Sequence, residues 1–428
     1  MSGAMRVIVF VELLAAVCVA TFPRRPSFTD QAQPFRIDVD PEFIDYTCQK
    51  VSLTRFVAPL EAVDVLAEGP PVQNSTAIAA YWEHEYDWFA VQDRLNQRLQ
   101  QFTMNIRPGP EWTRPIDLPL HFVHHVSPRP DAVPLLFIHG WPGSFIEVEN
   151  IIDDLTNPTN ETLPAFHVVA PSIPGYGFSP APSTTGFGYI ACAHAFNGLM
   201  QQLGYSRYVM QAGDAGGIIM RYQAHFYPEA VLAGLNNFWL VYPNSTDLER
   251  YAMNLTTPDE NHVIESMTGF VAHQWGYGQI QQTRPLRLAH AMTDSPVGLA
   301  MWMFDGMFAA VENPEIWTPE TVITWTMMHW IQGPYAAFRL YHEGSKDGAF
   351  TIDSFEDLPF VDRPMAISEF PKDIWYRTPL NWAQRTGNVQ TRYVHSYGGH
   401  FPAWETPHEL LPDIWDFLGR ISEGGYSP

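Results

Sequence analysis

Short apolar runs recur along the chain and are separated by stretches with helical periodicity. An uninterrupted run such as Val133–Ile138 is typical of a strand that is buried on both faces. Because strands alternate with helices, the pattern predicts an α/β protein with a mostly parallel sheet flanked by helices. The predicted strands are Leu118–Val126, Val133–Ile138, Phe166–Ala170, Tyr208–Ala212, Val231–Leu240, Met365–Phe370 and Thr391–His395.

Two segments lack this alternation. From Phe35 to about Gln101 the pattern is helical, and Ala77–Leu99 within it distributes aromatic residues among polar ones. Residues 241–357 are also mainly helical and are rich in Trp, Met, Tyr and Phe. We therefore predict an N-terminal helical arm and a helical lid inserted into the core, with the ligand site at the carboxyl ends of the strands. The predicted divisions are a signal or anchor segment at 1–22, the arm with the first strands at 30–128, the core at 129–240 and 358–428, and the lid at 241–357.

The N-terminal residues have the pattern of a processing segment. The apolar run Val7–Thr21 follows Arg6, is shorter than the roughly 18 residues of a membrane span, and contains small residues around Ala20 that a signal peptidase accepts. Glu12 interrupts the run, so an ordinary N-terminal helix remains an alternative. We expect a secreted or endoplasmic reticulum membrane-associated protein. Asn-x-Ser/Thr sequons, which agree with a secretory route, occur at Asn74, Asn160, Asn244 and Asn254.

Composition narrows the class of ligand. The 428 residues are 46% hydrophobic and 16% charged, which is typical of a globular protein with a large core. The 14% aromatic content suits an apolar ligand cavity, whereas a net charge of -22 opposes binding to nucleic acid or to anionic lipid. If the signal segment is removed, Cys48 and Cys192 are the cysteines that remain, and they do not make a disulfide framework.

The segment Tyr208–Gly217 carries the clearest chemical signal. An apolar strand runs into Gly213, Asp214 and Ala215 and then into a helix, which is the pattern of a nucleophile elbow. Small neighbours are needed there because the backbone of the nucleophile is strained. A carboxylate is already ionised at neutral pH and can displace at a saturated carbon, so an Asp in this position favours epoxides or alkyl halides over esters. The alternative is that Asp214 only caps the helix.

A second motif, His139-Gly-Trp-Pro-Gly143, directly follows a predicted strand. His-Gly-x-Pro at this place, with an elbow Asp downstream, resembles α/β-hydrolase-fold epoxide hydrolases, and the longer run through Phe145 resembles their microsomal-type branch. The resemblance implies that the backbone N–H groups of Trp141 and Ala215 form an oxyanion hole. Such donors stabilise the negative oxygen that forms when water attacks the ester intermediate.

The resemblance also supplies a base and its orienting acid. Ser396–Phe401 looks like the catalytic-histidine motif of the family, which implies that His400 takes a proton from the hydrolytic water. A carboxylate must hold the imidazole, and Phe370–Asp373 matches the Phe-Pro-x-acid motif of the family, so Asp373 is expected in this role. Glu369 lies nearby and is the competing candidate.

Two lid tyrosines complete the expected site. Opening an epoxide needs an acid, because the ring oxygen leaves as a strongly basic alkoxide. The resemblance implies Tyr277, in a motif that begins at Gly276, and Tyr341, in a motif that begins at Arg339, as proton donors. Family-like motifs in the arm extend the resemblance from about Phe35 to the C-terminus: Phe35–Ile37, Leu53–Phe56, Tyr81–Trp82 and Tyr86–Trp88. Ala215 and Gly217 depart from the family, where a bulkier residue and a Ser are frequent, which leaves the shape of the pocket open.

The sequence thus predicts an epoxide hydrolase that converts an apolar epoxide and water into a vicinal diol through a hydroxyalkyl ester on Asp214. No metal or organic cofactor is expected, and neither is nucleic acid as a partner. Membrane association through the N-terminus and a homodimer are open. The rival enzyme is a haloalkane dehalogenase, although Ala215 offers no side-chain donor to a halide. A non-catalytic lipid or terpenoid carrier is the rival from another class.

Overall fold

Nine strands form one sheet within the part of the chain that this computed structural model describes, namely residues 28–58, 68–107, 118–349 and 358–423. The predicted signal or anchor segment, residues 1–22, lies outside the described residues. The strands are β1 (Gln33–Phe35), β2 (Gln101–Ile106), β3 (Leu118–His125), β4 (Val133–Ile138), β5 (Phe166–Pro171), β6 (Tyr208–Ala212), β7 (Val231–Asn236), β8 (Val361–Glu369) and β9 (Gly387–Val394).

The sheet is mostly parallel, as predicted. Its order is β1-β2-β3-β5-β4-β6-β7-β8-β9, and the pairs from β5 to β9 are parallel. The first three strands pair antiparallel, and β3 joins them to β5. Helices between the parallel strands flank the sheet, so the prediction of an α/β-hydrolase fold is confirmed.

The predicted strands did not include β1 and β2, which lie at the two ends of the predicted helical arm. β2 pairs with β3 along its whole length, from Gln101 opposite Val123 to Ile106 opposite Leu118. Its polar positions are not exposed, because Gln101 Oε1 lies 3.0 Å from Nε2 of His121 on β3 and both residues are buried. The hydrogen bond therefore allows a polar residue to be buried in the sheet, although the hydrophobic pattern alone predicts an exposed residue there.

The helical stretch predicted over Ala77–Leu99 is broken in the middle. One helix ends at His84 and the next begins at Trp88, where the Asp87 carboxylate accepts the N–H groups of Phe89 at 2.9 Å and Ala90 at 3.1 Å. Trp82 and Trp88 would lie on different faces of one continuous helix, because six positions turn about 600°. The break allows both tryptophans to be buried.

The remaining helices follow the predicted alternation. The helices between β7 and β8, from Ser245–Ala252 to Tyr335–Lys346, are called the lid helices below. None of the helices in the described residues is both long enough and apolar enough to span a bilayer. The helices are α1 (Pro41–Ser52), α2 (Val72–His84), α3 (Trp88–Arg98), α4 (Ile152–Thr156), α5 (Tyr189–Gln202), α6 (Asp214–Phe226), α7 (Ser245–Ala252), α8 (Pro258–His273), α9 (Gly276–Thr283), α10 (Pro285–Met292), α11 (Pro296–Ala309), α12 (Pro319–Trp330), α13 (Tyr335–Lys346), α14 (Leu380–Ala383), α15 (Pro402–Glu405) and α16 (Pro407–Glu423), with short 3-10 helices at Phe145–Asn150 and Pro314–Ile316.

The sheet register brings separate loops to one edge. Ile138 at the end of β4 pairs with Ala212 at the end of β6, and Glu369 at the end of β8 pairs with Val394 on β9. The loops after these strands contain the motifs singled out in the sequence. The predicted strand Val231–Leu240 was too long. β7 ends at Asn236, and the residues that follow turn toward the same edge.

Candidate active site

Asp214 lies at the strand-to-helix turn between β6 and α6 with a positive φ of 48°. A non-glycine residue in this conformation costs roughly 1–2 kcal/mol, and the surrounding packing must hold it there. The neighbouring glycines are sterically required, because a Cβ at Gly216 would overlap the carbonyl oxygen of Ile138 and one at Gly213 would lie 2.5 Å from Asn237 Nδ2. The elbow therefore depends on small residues on both sides of Asp214.

The Asp214 carboxylate does not cap its own helix. Gly213 is the N-cap residue of α6, and no side chain makes the cap hydrogen bond. Asp214 Oδ1 instead accepts the backbone N–H of Trp141 at 2.7 Å. Ala215, the second expected oxyanion donor, follows in the first turn of α6 and lines the cavity in front of Asp214. The Trp141 N–H thus reaches the carboxylate, and Ala215 lies in the wall of the same cavity as Asp214.

His400 approaches Asp214 from the loop after β9. Its Nε2 lies 3.5 Å from Asp214 Oδ2, and its Nδ1 lies 2.6 Å from Asp373 Oδ2. The imidazole therefore bridges the two carboxylates. Phe238 and Phe401 pack edge-to-face on the ring at centroid distances of 5.1 Å and 4.8 Å. These apolar contacts exclude water from most of the imidazole.

The loop that carries His400 is attached to the lid helices. The backbone N–H of His400 donates to the carbonyl oxygen of Ala310, at the end of α11, over 2.8 Å. Gly399 permits this approach, because a Cβ there would overlap the same carbonyl oxygen. Glu405 adds a second attachment by accepting the N–H groups of Glu312 at 2.8 Å and Asn313 at 2.7 Å.

Of the two candidate orienting acids, the structure brings Asp373 to His400. Asp373 is buried, and its second oxygen accepts the N–H of Trp375 at 3.0 Å, which fixes the carboxylate. Glu369 instead makes a two-pronged ion pair with Arg392, with distances of 2.8 Å to Nε and 3.0 Å to Nη2. Glu369 is therefore engaged away from the imidazole.

The charges around His400 favour the imidazolium in the free protein. Burial lowers the pKa of His400, but the Asp373 carboxylate and then Asp214 raise it by more, so that the pKa reaches about 10. A buried cation between two carboxylates is electrostatically compensated. Any reaction that removes the charge of Asp214 therefore also lowers the pKa of His400.

Tyr277 on α9 and Tyr341 on α13 face the same cavity as Asp214. Their rings meet edge-to-face at 6.2 Å, and Tyr277 stacks on the Trp141 indole at 5.0 Å. Burial, with a further contribution from the Asp214 charge, raises the pKa of both hydroxyl groups. Both hydroxyls thus stay protonated at neutral pH.

Two cavities meet at Asp214. The apolar lobe lies beneath the lid helices, and the polar lobe contains His400, Asp373, Lys372 and Asp305 in its wall. Asp214 and Tyr277 belong to both lobes. Within the described residues, no group of three or more His, Cys, Asp or Glu side chains is arranged to hold a metal ion. The apolar lobe is lined mainly by Tyr189, Ala215, Ile218, Leu240, Tyr242, Met267, Trp275, Tyr341 and Trp375.

Sequence reasoning missed Glu147, which is buried behind the nucleophile in the 3-10 helix that follows the His139–Gly143 motif. Burial raises its pKa to about 8, and the charge of Asp214 contributes to the increase while His400 opposes it. The sequence contains a signal for it, namely an acidic residue in the otherwise apolar run Phe145–Val148. An acidic residue there is readily taken as an exposed position of a helix.

Comparisons with known proteins show which family the chain resembles. The family described as "Epoxide hydrolase N terminus" matches residues 32–148, and the family described as "alpha/beta hydrolase fold" matches residues 133–237. "Epoxide hydrolase 1" of Oryctolagus cuniculus is 30% identical over 431 residues, covering 92% of this chain and 90% of the relative.

Two solved structures are similar over nearly the whole chain. The epoxide hydrolase of Aspergillus niger is 29% identical with a TM-score of 0.78, covering 94% of this chain and 99% of that one. The juvenile hormone epoxide hydrolase of Bombyx mori is 25% identical with a TM-score of 0.81, covering 92% of this chain and 95% of that one. Both structures thus resemble this chain over nearly its whole length, and both are named as epoxide hydrolases.

Proposed function

The chain belongs to the epoxide hydrolase family, and from this premise we propose that Asp214, His400, Asp373, Tyr277 and Tyr341 carry out the hydrolysis in two steps. The main support is that the Asp214 carboxylate lies between the Trp141 N–H group and the His400 imidazole. Asp214 Oδ1 accepts the Trp141 N–H at 2.7 Å, and Oδ2 lies 3.5 Å from His400 Nε2.

In the first step Asp214 is the nucleophile. A carboxylate oxygen bonds to a ring carbon of the epoxide, the bond from that carbon to the ring oxygen breaks, and the oxygen takes a proton from Tyr277 or Tyr341. The product is a hydroxyalkyl ester and a tyrosinate. Because burial raises the pKa of both tyrosines, the hydroxyls keep their protons until the more basic alkoxide forms.

In the second step water cleaves the ester. Esterification removes the charge of Asp214 and so lowers the pKa of His400, and the imidazolium gives its proton to the tyrosinate formed in the first step. Neutral His400 then takes a proton from water while the water oxygen bonds to Cγ of Asp214. The N–H groups of Trp141 and Ala215 stabilise the oxyanion. The alkoxy oxygen leaves with the proton of the new Asp214 carboxyl group, which restores the carboxylate and the imidazolium, and the diol departs.

The apolar lobe supports an apolar substrate. Aliphatic and aromatic side chains form most of its wall, and they stabilise a bound ligand by roughly 25 cal/mol for each Å² of apolar surface removed from water. His400 and Asp373 lie in the wall of the polar lobe and act on Asp214 from that side. An epoxide ring at the junction of the lobes would lie next to Asp214 and Tyr277.

The direct test is mass spectrometry of a His400→Gln variant after incubation with a small aryl epoxide. We expect an adduct with the mass of the intact epoxide on the peptide that carries Asp214, and no adduct in Asp214→Asn. His290→Gln, a change at an exposed histidine on α10, is the matched control and should turn over without trapping ester. An adduct from an alkyl bromide alone, with loss of halide, would assign a dehalogenase, and no adduct across a varied epoxide panel would overturn the proposed catalytic roles.

We further propose that the chain follows the secretory route, as a secreted or endoplasmic reticulum membrane-associated protein. The apolar run at residues 7–21 and exposed sequons such as Asn160 and Asn254 support this location. Asn244 is a poorer acceptor, since it is half-buried where the helix that begins at Ser245 is capped. Glycosidase sensitivity and membrane flotation of the full chain expressed in eukaryotic cells test the route, and light scattering tests whether the chain forms a homodimer.

A further inference from the structure

A third cavity, called the rear cavity below, is lined by Asp214 and is separate from the two lobes. Its wall includes Asp214 and His400, so it reaches both partners of the proposed second step. Tyr277 and Tyr341 line the apolar lobe instead, where the proposed first step takes place. Neither tyrosine belongs to the wall of this rear cavity, so the cavity contacts Asp214 separately from the proton donors proposed for the first step. Its polar wall is formed by Gly140, Glu147, Gln211, Asn237 and His400.

Glu147 presents an unused acceptor to this region. Glu147 is 9% exposed, and its Oε1 has no hydrogen-bond partner among the described residues. Gly143 makes room for this carboxylate, because a Cβ at position 143 would overlap Glu147 Oε1. The position of the carboxylate is thus built into the loop that follows β4.

Gln211 presents a second acceptor to the rear cavity. Its Nε2 donates to Asn237 Oδ1 at 2.9 Å, while its Oε1 has no partner in the described part of the chain. Buried acceptors without partners are rare in proteins, and ordered water is the usual partner when a polar cavity has room for it. Two such acceptors on one small cavity beside a histidine point to bound water.

We infer that the rear cavity holds the water that hydrolyses the Asp214 ester, and that Glu147 is the residue that positions this water. The inference rests on the proposed two-step function. One hydrogen of the water is donated to the Glu147 carboxylate, and the other passes to His400 Nε2 as the water oxygen bonds to Cγ of Asp214. Glu147 keeps its protonation state throughout, so the proton balance of the second step is unchanged.

Two nearby charges act on the pKa of Glu147. In the free protein burial and the charge of Asp214 raise this pKa, while the charge of His400 lowers it. Formation of the ester neutralises Asp214, which favours the carboxylate of Glu147, whereas the accompanying loss of charge on His400 acts in the opposite direction.

The test separates the two steps by rapid-quench mass spectrometry with an aryl epoxide, following the adduct on the Asp214 peptide and the diol. In Glu147→Gln we expect the alkylation rate to stay within about threefold of the parent and the hydrolysis rate to fall by about tenfold to a hundredfold, so that ester accumulates. Glu149→Gln is the matched control. Glu149 is a buried carboxylate in the same 3-10 helix, but it pairs with Arg94 and does not line the rear cavity.

A Glu147→Gln variant that hydrolyses the ester at the parent rate, or that slows both steps equally, would overturn the inference. If this variant fails to fold, Gln211→Met tests the water site instead, because it removes the second acceptor and leaves Glu147 in place. Slower hydrolysis with unchanged alkylation supports the rear cavity as the water site, and unchanged hydrolysis overturns it. Failure of the proposed function itself is distinct, since the parent and His400→Gln would then form no adduct on Asp214.

Discussion

Gly140 provides the space that the Asp214 carboxylate occupies. A Cβ at position 140 would overlap Oδ1, Cβ and Cγ of Asp214. The same loop delivers the Trp141 N–H to Oδ1 at 2.7 Å. The loop after β4 and the elbow after β6 are therefore fitted to each other at the level of single atoms, with no room for a side chain between them.

Gly140→Ala should reduce kcat/KM by about a hundredfold or more, because the added methyl group displaces the carboxylate from its oxyanion donor and from His400. Steady-state kinetics with an aryl epoxide measure the loss. Gly269→Ala is the control: nothing lies within 4 Å of its added Cβ, so activity should be kept and the helix stabilised by about 0.5–1 kcal/mol. Near-parental activity of Gly140→Ala would contradict the steric argument.

Asp373→Asn should slow hydrolysis of the ester by about a thousandfold or more, because Asn cannot stabilise the imidazolium and favours the wrong tautomer of His400. Glu369→Gln should keep the activity and lower the free energy of unfolding, since it breaks the ion pair with Arg392. Single-turnover kinetics and urea denaturation distinguish the two effects. The reverse result would make Glu369 the orienting acid.

Tyr277→Phe and Tyr341→Phe should each slow alkylation by about tenfold to a hundredfold, and the double variant by more, because the alkoxide loses its proton donors. Rapid-quench measurement of adduct formation gives the rate. Tyr251→Phe, which removes a hydroxyl bonded to Glu265 at 3.0 Å on the surface, is the matched control. If the double variant alkylates as fast as the parent, another acid protonates the ring oxygen.

The raised pKa of His400 has a consequence for stability. A folded-state pKa near 10 against about 6.5 in the unfolded chain means that the imidazolium stabilises the fold fully below pH 6.5, and that this contribution is lost as pH rises to 10. His400→Gln lacks the contribution. Urea denaturation at pH 6.5 and at pH 10 should therefore show a parent advantage that shrinks at the higher pH, and a constant advantage would argue against the raised pKa.

The positions proposed for the nucleophile, base and acid come together in the structure because short motifs determine their local geometry. The strain at Asp214 requires glycine neighbours, and the same holds for the loop that brings Gly399 against Ala310. Such requirements leave a pattern in consecutive residues. Asp373 could be favoured over Glu369 for a similar reason, since its motif directly follows β8.

Features that depend on distant partners could not be predicted in this way. The polar Gln101 belongs to a buried strand because His121 lies beside it, and the long helix expected over Ala77–Leu99 is interrupted by the cap at Asp87. Glu147 was missed for the same reason. Its burial becomes apparent only when Gly143, Asp214 and His400 are placed around it.

Because the His400 loop is attached to Ala310, a movement of the lid helices also changes the position of His400. A ligand that forces α11 outward would pull on the backbone of His400 and lengthen its distance to the ester. An oversized epoxide could then enter and alkylate Asp214 yet be hydrolysed poorly. Selectivity for substrate size would in that case be expressed in turnover, and bulky epoxides would act as slowly released covalent inhibitors of this enzyme.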